Sequence, residues 1–367
     1  MTAPALASER REQILGILGR EGSARLSALA HRLGVTPVTV RRDVAQLAEQ
    51  GLVQRVHGGV SLTSPARPGP AAASGEHESQ GRRGQEVTTI GIVVPSMDYY
   101  YPGVLSGARA AAEEHGIRLV LGVSSYRIDE DRRQLQRLVE DIGVDAVLTA
   151  PAIDQPDGGE LATWLTGLRT PVVLLERTPR RPTHHALLES VVTDHALGAG
   201  LAVEHLAGLG HRRIALASRT SPTTAALREG WEAGVRDLGL PEGPEVDLVT
   251  YNEPGSRESI DRALDALLDA RSTAVLVHAD PESIALLERC DERGISVPDD
   301  LSVIAYDDEV AAIAPQPITA VRPPRRTVGS TALRVAAERL ADPDRPAQRV
   351  VLSPQLHARA TTAPPRR

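Results

Sequence analysis

Apolar residues in the first sixty positions recur three and four apart, and then alternate. Ile14, Ile17 and Leu18 begin the helical pattern, which predicts short helices over 12–20, 26–33 and 36–48. Thr36 and Pro37 are typical of an N-cap and a first helical position. Residues 52–56 alternate like a strand and lead into two glycines at 58–59, which predicts a β-hairpin. Three helices followed by a hairpin indicate a winged helix-turn-helix.

From residue 90 onwards the pattern changes to short apolar runs alternating with amphipathic helices. The first run, Ile90–Val94, is typical of a strand buried on both faces. Further strands are predicted at 118–123, 146–150, 172–175, 214–218, 245–250, 274–278 and 301–306. Helices are predicted between them at 104–115, 129–142, 160–168, 198–209, 224–238, 256–269 and 281–293. This alternation predicts an α/β region with parallel sheets, and the predicted strands are more than one sheet usually needs, which favours two similar lobes.

The two regions are joined by a segment without apolar periodicity. Residues 63–87 are rich in Pro, Ala, Gly and Ser, which predicts a flexible linker. A chain of 367 residues has room for two or three domains. We therefore predict a head over 8–62, a linker over 63–87 and a body over 88–362.

Charge is distributed unevenly along the chain. The whole chain has a formal net charge of −7, yet residues 1–62 carry eight Arg against five acidic residues. A basic head on an acidic body favours nucleic-acid binding by the head, although random scatter of charge is the alternative.

Several classes of protein are disfavoured by the sequence. The single cysteine, Cys290, excludes an internal disulfide and suits a reducing cytoplasm. The N-terminus has no apolar segment of signal-peptide type, and no apolar run is long enough to span a membrane. His184, His185, His205 and His211 lack metal-ligand partners at close spacing, and no P-loop, GxSxG or strand-following GxGxxG occurs. We expect a cytoplasmic protein that is not an enzyme, has no metal or cofactor and makes no membrane contact.

The third predicted helix carries the candidate DNA-reading side chains. Its apolar stripe would face the core, which leaves polar and basic residues elsewhere for base edges and phosphates. The hairpin would bring further residues to the DNA backbone or minor groove. The predicted DNA-binding residues are Thr36, Pro37, Val38, Thr39, Arg41, Arg42, Gln46, Arg55, His57 and Gly58. A solvated basic face is the alternative for the Arg pair.

The head resembles that of the DeoR family. The matching strings are 11–15 (REQIL), 29–35 (LAHRLGV), 39–43 (TVRRD) and 51–59 (GLVQRVHGG). This resemblance implies a winged helix-turn-helix that binds double-stranded DNA. Pro37 stands where that family usually has another residue.

The body resembles instead the sensor of the LacI family, which is related to type I periplasmic sugar-binding proteins. The matching strings include 144–148 (VDAVL), 203–206 (VEHL), 210–215 (GHRRIA), 228–231 (REGW), 297–308 (VPDDLSVIAYDD) and 317–321 (PITAV). This resemblance implies two lobes with a ligand between them and chain crossings near 209, 321 and 348. Lobe 1 would comprise 88–209 and 322–348, and lobe 2 would comprise 210–321 and 349–362.

Candidate ligand contacts follow from strand ends and from this resemblance. Asp280 and Asp307 come directly after predicted buried strands, where ligands bind in open α/β sheets. Arg228 begins the string that the resemblance places at the ligand. The full predicted set is Asp98, Tyr100, Tyr101, Arg177, Arg228, Asp280 and Asp307. Structural ion pairs are the alternative for the charged members.

Together these features favour a dimeric, ligand-responsive repressor of carbohydrate genes that binds an inverted-repeat operator and is nucleoid-associated when bound. Alternatives are a regulator that responds to a nucleoside or another small polar effector, and a sugar-binding protein without a regulatory role. The hinge helix of the LacI family has no counterpart in the linker, so we expect ligand and DNA binding to be coupled through dimer geometry.

Overall fold

The computed structural model describes residues 7–21, 23–33, 35, 39–40, 43–44, 47, 53–56, 59–62, 87–155, 157–179 and 188–366. It divides into two compact units, Met1–Val87 and Thr88–Arg367. The first unit is the head and the second is the body.

The head combines helices with a small antiparallel sheet. Helix α1 spans Ala7–Glu21 and α2 spans Leu26–Arg32, and residues 39–40, 43–44 and 47 are also helical. Strands β1 (Ser23–Arg25), β2 (Val53–Val56) and β3 (Gly59–Leu62) pair in the order β1-β3-β2. The sequence pattern did not predict β1, which pairs with β3 and so adds a third strand to the β2–β3 hairpin.

The core of the head is built from the apolar stripes of its helices. Its fully buried side chains include Ile14, Leu18, Leu29, Val40 and Val60. Asp43 is also buried, and its carboxylate accepts a hydrogen bond of 2.6 Å from Nε of Arg10. This ion pair ties α1 to the third helical segment.

Lobe 1 of the body contains a parallel sheet of six strands in the part of the chain that the structure describes. Their order is β14-β8-β7-β6-β4-β5. The strands are β4 (Thr89–Val94), β5 (Arg118–Val123), β6 (Ala146–Thr149), β7 (Val172–Leu175), β8 (Glu189–Thr193) and β14 (Arg349–Leu352). Its helices are α3 (Tyr101–His115), α4 (Ile128–Gln136), α5 (Gly158–Thr166) and α10 (Arg325–Ala341), and α4 continues as a π-helix over Arg137–Ile142.

Lobe 2 repeats this plan with one antiparallel edge strand. Its order among the described residues is β10-β9-β11-β12-β13-β15, and only the β13–β15 pair is antiparallel. The strands are β9 (Ile214–Arg219), β10 (Glu245–Leu248), β11 (Ala274–His278), β12 (Ser302–Tyr306), β13 (Thr319–Arg322) and β15 (Gln355–His357). Its helices are α6 (His195–Gly208), α7 (Thr224–Asp237), α8 (Ser256–Asp269) and α9 (Asp280–Glu292), with a 3-10 turn at Ala311–Ile313.

Glycines allow pairs of helices to approach closely in each lobe. A Cβ atom on Gly107 of α3 would lie 1.8 Å from the carbonyl oxygen of Arg326 in α10. A Cβ atom on Gly230 of α7 would lie 1.9 Å from the carbonyl oxygen of Ala196 in α6. Any side chain at either position would push the helices apart, so these contacts assign α10 to lobe 1 and α6 to lobe 2.

The chain crosses between the lobes at places that differ from two of the predicted ones. It crosses after β8, near 194 rather than 209, because the apolar face of α6 packs into the core of lobe 2 with Leu216 and Leu276. It crosses again between β13 and α10, close to the predicted 321. The last crossing lies between β14 and β15, near 353 rather than 348, because β14 pairs with β8 in lobe 1. The predicted lobe bounds were therefore wrong for residues 195–208 and 349–352.

Candidate functional site

The carboxyl ends of the two sheets of the body meet each other. The backbone N–H of Asp280, after β11, donates to the Tyr99 hydroxyl, after β4, at 3.1 Å. Nε2 of His195 lies 3.4 Å from the carboxylate of Glu176, which follows β7. In open α/β sheets this edge is where ligands bind, so a cleft bordered by both lobes is the candidate site.

Unusual backbone conformations concentrate at these strand ends. Among the described residues, seven other than glycine have a positive φ, and five of them lie here. They are Tyr99 (60°), Tyr126 (57°), Glu176 (51°), Asp307 (105°) and Asp308 (53°). Each such residue costs about 1–3 kcal/mol, and such strain is typical of functional sites.

Asp307 is a buried carboxylate whose oxygens accept no hydrogen bond from any described residue. It follows β12 and is 5% exposed. No described residue donates a hydrogen bond to its side chain, whereas its backbone N–H bonds to the carbonyl of Val321 at 2.9 Å. Burial and the nearby charge of Asp280 raise its pKa to about 6, against the opposing influence of Arg325. Its oxygens remain able to accept hydrogen bonds from a ligand hydroxyl pair.

Asp280 has a different role from the predicted one. Its carboxylate accepts hydrogen bonds from the backbone N–H groups of Asp308 (3.1 Å), Glu309 (2.7 Å), Val310 (2.8 Å) and Ala311 (3.1 Å). Its fully buried side chain therefore fixes the loop after β12, and its oxygens are occupied. The prediction of Asp280 as a ligand contact was wrong, because the loop that follows the neighbouring strand folds over its carboxylate.

Arg228 also lies away from the cleft. The buried face of α7 is formed by Leu227, Gly230, Trp231 and Val235, so residue 228 projects sideways. Its Nε donates to the Glu245 carboxylate on the edge strand β10 at 2.5 Å. Its side chain is 41% exposed. The prediction of Arg228 as a ligand contact was wrong, because the inward position of this turn belongs to Leu227.

The residues after β4 mostly support the site. The Tyr100 hydroxyl donates to Oε1 of Glu176 at 2.7 Å, and the Arg325 guanidinium lies 5.5 Å from the centre of its ring. Tyr101 is 3% exposed and begins α3. Asp98 is half-buried in the same turn, where its backbone N–H donates to Ser96 at 2.9 Å. Tyr100 thus holds Glu176 rather than presenting a free ring.

Glu176 and His195 form an interlobe connection that the sequence analysis missed. Besides Tyr100, Glu176 accepts hydrogen bonds from the backbone N–H and the hydroxyl of Thr193, both at 2.8 Å. Burial alone would raise the pKa of Glu176, but the hydrogen bonds, above all that from His195, outweigh it and hold the pKa below its usual value. Nδ1 of His195 in turn lies 2.9 Å from the hydroxyl of Tyr306. The sequence signal was an acidic residue directly after a buried strand.

Tyr126 is the accessible aromatic residue of the cleft, and it too was missed. It lies in the turn after β5 and is 43% exposed. The pKa of its hydroxyl is nevertheless raised, chiefly because the surrounding protein desolvates it. A ring that is both accessible and surrounded is what a cleft wall provides, and it offers a face for C–H stacking. Its position in a turn gave no periodic signal.

Comparisons with known proteins define the family. The structure is similar to the crystal structure of a LacI family transcriptional regulator from Mycobacterium smegmatis, with 30% sequence identity and a TM-score of 0.62. The match covers 76% of this chain and 100% of that one. The chain belongs to the LacI family of transcriptional regulators. A model of the periplasmic binding protein-like domain also matches residues 203–362, and a model of the DeoR-like helix-turn-helix domain matches residues 10–66.

Named relatives agree with membership in the LacI family. The arabinose metabolism transcriptional repressor of Geobacillus stearothermophilus is 27% identical over 82% of this chain and 80% of its own length. The ribose operon repressor of Escherichia coli (strain K12) is 28% identical over 74% of this chain and 82% of its own length. These relatives are transcriptional regulators rather than enzymes. The predicted two-lobed α/β fold and the predicted regulatory function are confirmed.

In this LacI-family regulator the predicted DNA-binding residues mostly lie outside the described residues. Thr39 belongs to the third helical segment, and Arg55 belongs to β2, where only its backbone is described. The others, Thr36, Pro37, Val38, Arg41, Arg42, Gln46, His57 and Gly58, are not described. The buried stripe at Val40, Val44 and Leu47 is present as predicted. The DNA contacts stay a prediction.

The described residues offer neither a metal site nor a membrane-spanning helix. In the described part of the chain, no group of three or more His, Cys, Asp or Glu residues is arranged to hold a metal ion. Within the same residues, no helix combines the length and the apolar character that crossing a bilayer requires.

Proposed function

We propose that this LacI-family regulator represses carbohydrate genes and that a sugar-like effector, bound between the lobes of the body, changes the affinity of the head for its operator. The observation that carries the proposal is Asp307, a buried carboxylate that no described residue satisfies, at the edge where both sheets meet. The named arabinose and ribose repressors support a sugar as the effector class.

Such control needs two arrangements of the lobes, open and closed, and the contacts between the lobes would stabilise the closed one. Tyr99 bonds to Asp280, Glu176 contacts His195, and Arg325 of α10 donates to the carbonyl of Asp307. These bonds hold the lobes together at the candidate site. An effector can shift the arrangement only by binding one state more tightly than the other, and a ligand between the lobes contacts both in the closed state alone.

The DNA-binding part of the proposal rests on the head. Arg41 and Arg42 would reach base edges in the major groove and Arg55 would contact phosphates, while two heads of a homodimer would read an inverted repeat. The predicted linker over 63–87 lies outside the described residues except for residue 87, and coupling between effector and DNA would run through the dimer. This function places the protein in the cytoplasm, on the nucleoid when bound.

A ligand screen tests the effector part. The full chain is heated with monosaccharides, disaccharides and nucleosides in turn, and a binding effector raises the unfolding temperature. With the best effector, Asp307→Asn is expected to lose the stabilisation, whereas Arg228→Gln, outside the cleft, keeps it. An equal ligand-induced shift in Asp307→Asn would place the effector elsewhere.

A further inference from the structure

One NH2 group of the Arg177 guanidinium, in lobe 1, is buried and has no hydrogen-bond partner among the described residues. It lies two residues after β7, and its side chain is 6% exposed. Nε donates to the carbonyl of Pro151 at 3.1 Å and lies 3.7 Å from the carboxylate of Asp154, and Nη1 donates to the carbonyl of Glu176 at 2.8 Å. Nη2 is buried without a hydrogen-bond partner among the described residues. A buried donor left without an acceptor is costly, so this atom requires an explanation.

Arg219 of lobe 2 has even more donors available. It is the last residue of β9, and its guanidinium donates no hydrogen bond to another described residue. The carboxylate of Glu282 lies 3.4 Å from its Nε, but that carboxylate already accepts the backbone N–H groups of Tyr251 (2.9 Å) and Ala279 (3.0 Å). The side chain of Arg219 is 25% exposed. Its planar set of donors is therefore accessible.

The two guanidinium groups belong to one cleft. Arg177 follows β7 and Arg219 ends β9, so both lie at the strand ends where the two sheets meet. Their charges also oppose the rise in the pKa of the Tyr126 hydroxyl that burial causes. Tyr126 is the accessible aromatic residue of the cleft wall. Arg177 and Arg219 thus border the cleft from opposite lobes, and Asp307 follows β12 at the same edge of lobe 2.

The chemistry of Arg177, Arg219 and Asp307 indicates which ligand groups would bind to them. Two guanidinium groups with open donors match the oxygens of a carboxylate or phosphate, which accept such forks in pairs. A water molecule can accept from Nη2 of Arg177, but it gives no reason for a second guanidinium from the other lobe. Asp307 suits hydroxyl groups and would repel an anion placed directly on it. The ligand therefore needs an anionic end and a hydroxyl-bearing end.

We propose that the effector is an acidic sugar derivative whose anionic oxygens bind Arg177 and Arg219 and whose hydroxyl groups bind Asp307. This inference rests on the proposed function, because it assumes that the effector binds in this cleft. Since the two arginines come from different lobes, one anionic group bridges the lobes and favours the closed state. Carboxylate and phosphate share this chemistry.

Calorimetric titration of the full chain with matched trios tests the inference. Each trio contains a neutral sugar, its uronate and its phosphate ester, for example glucose, glucuronate and glucose 6-phosphate, with equivalent trios built on galactose and ribose. We expect one acidic member to bind about 10–100-fold more tightly than its neutral parent, as hydrogen bonds to charged groups give. The tighter acidic member shows whether the group is a carboxylate or a phosphate.

The trios separate an error about the anionic group from an error about the sugar effector itself. If a neutral sugar binds as tightly as its acidic derivatives, the acidic effector is contradicted and the sugar-responsive regulator stands. If no member of any trio binds, both are contradicted.

A substitution locates the anionic group. Arg219→Gln is expected to weaken binding of the acidic ligand about 10–100-fold and to leave binding of its neutral parent unchanged. Arg228→Gln, which removes an arginine paired with Glu245 outside the cleft, is the matched control and should change neither. Equal losses for the acidic and the neutral ligand in Arg219→Gln would contradict the assignment, and unchanged thermal unfolding without ligand confirms that the variant is folded.

Discussion

Two adjacent strands of lobe 2 are each followed by a buried aspartate, but the two aspartates have different roles. Asp280 follows β11 and Asp307 follows the adjacent strand β12, and both are buried, at 0% and 5% exposure. Four backbone N–H groups bond to the carboxylate of Asp280, whereas no described residue donates to that of Asp307. A strand end brings a carboxylate to the cleft, but the backbone donors around it decide whether it stabilises the fold or remains available for a ligand.

The two carboxylates are also coupled to each other. By holding the backbone of residues 308–311, Asp280 fixes the loop that begins with Asp307. Its charge is in turn one of the causes that raise the pKa of Asp307. The occupied carboxylate thus positions the unoccupied one and makes its ionisation less favourable.

The largest expected effect is on stability at Asp280. Asp280→Ala removes the acceptor of four backbone N–H groups and should lower the free energy of unfolding by roughly 4 kcal/mol, since each buried donor left unsatisfied costs about 1–3 kcal/mol. Urea unfolding followed by circular dichroism measures this loss. Asp280→Asn, which keeps one carbonyl oxygen, should lose less than Asp280→Ala, and a loss below about 1 kcal/mol in Asp280→Ala would contradict the structural role.

Substitution of Asp307 should raise the free energy of unfolding, in contrast to the loss expected for Asp280→Ala. Its pKa is raised to about 6 from 3.8, so the folded state binds the proton more tightly than the unfolded state, and stability falls as the pH rises from about 4 to 6. Asp307→Asn cannot ionise and should be more stable than the wild type by about 3 kcal/mol at pH 7.5. Urea unfolding at several pH values should show this difference vanishing below about pH 4. A difference that does not depend on pH would contradict the raised pKa.

The smallest effect is expected at Arg228. Arg228→Ala breaks an ion pair with Glu245 in which the arginine side chain is 41% exposed. Exposed pairs contribute little, so the free energy of unfolding should fall by less than about 1 kcal/mol, and effector binding should not change. Thermal unfolding with and without the effector measures both. Loss of effector binding in this variant would contradict the placement of Arg228 outside the effector site.

The sequence predicted the elements that its periodicity defines. The apolar runs at β4, β6, β9, β11 and β12 and the helices between them lie where the pattern placed them, because buried strands and amphipathic helices each leave a regular signal. Helix α10 and strands β8, β13, β14 and β15 were not among the predicted elements. Exposed and half-buried residues alternate in β14, and its pairing with β8, rather than its pattern, makes it a strand.

The candidate site was predicted less completely than the fold. Asp307 could be predicted from its place after a buried strand, whereas Asp280 in the same place could not be distinguished from it, since the difference lies in backbone donors about thirty residues away in the sequence. Arg228 was assigned from its neighbours in a string, which does not determine the helix face. The roles of Tyr126 and Arg219 depend on how the two lobes meet. The sequence of a single strand or turn does not contain that information.

The most direct test of the central claim measures DNA affinity as a function of effector in the full chain. A fluorescent duplex selected by the protein from a random library is titrated, with and without the effector found by thermal unfolding, for the wild type, Asp307→Asn and Arg228→Gln. We predict equal DNA affinity for all three without effector, and an effector-induced change of affinity in the wild type and Arg228→Gln but not in Asp307→Asn. An undiminished effector response in Asp307→Asn would contradict control of DNA binding from the cleft between the lobes.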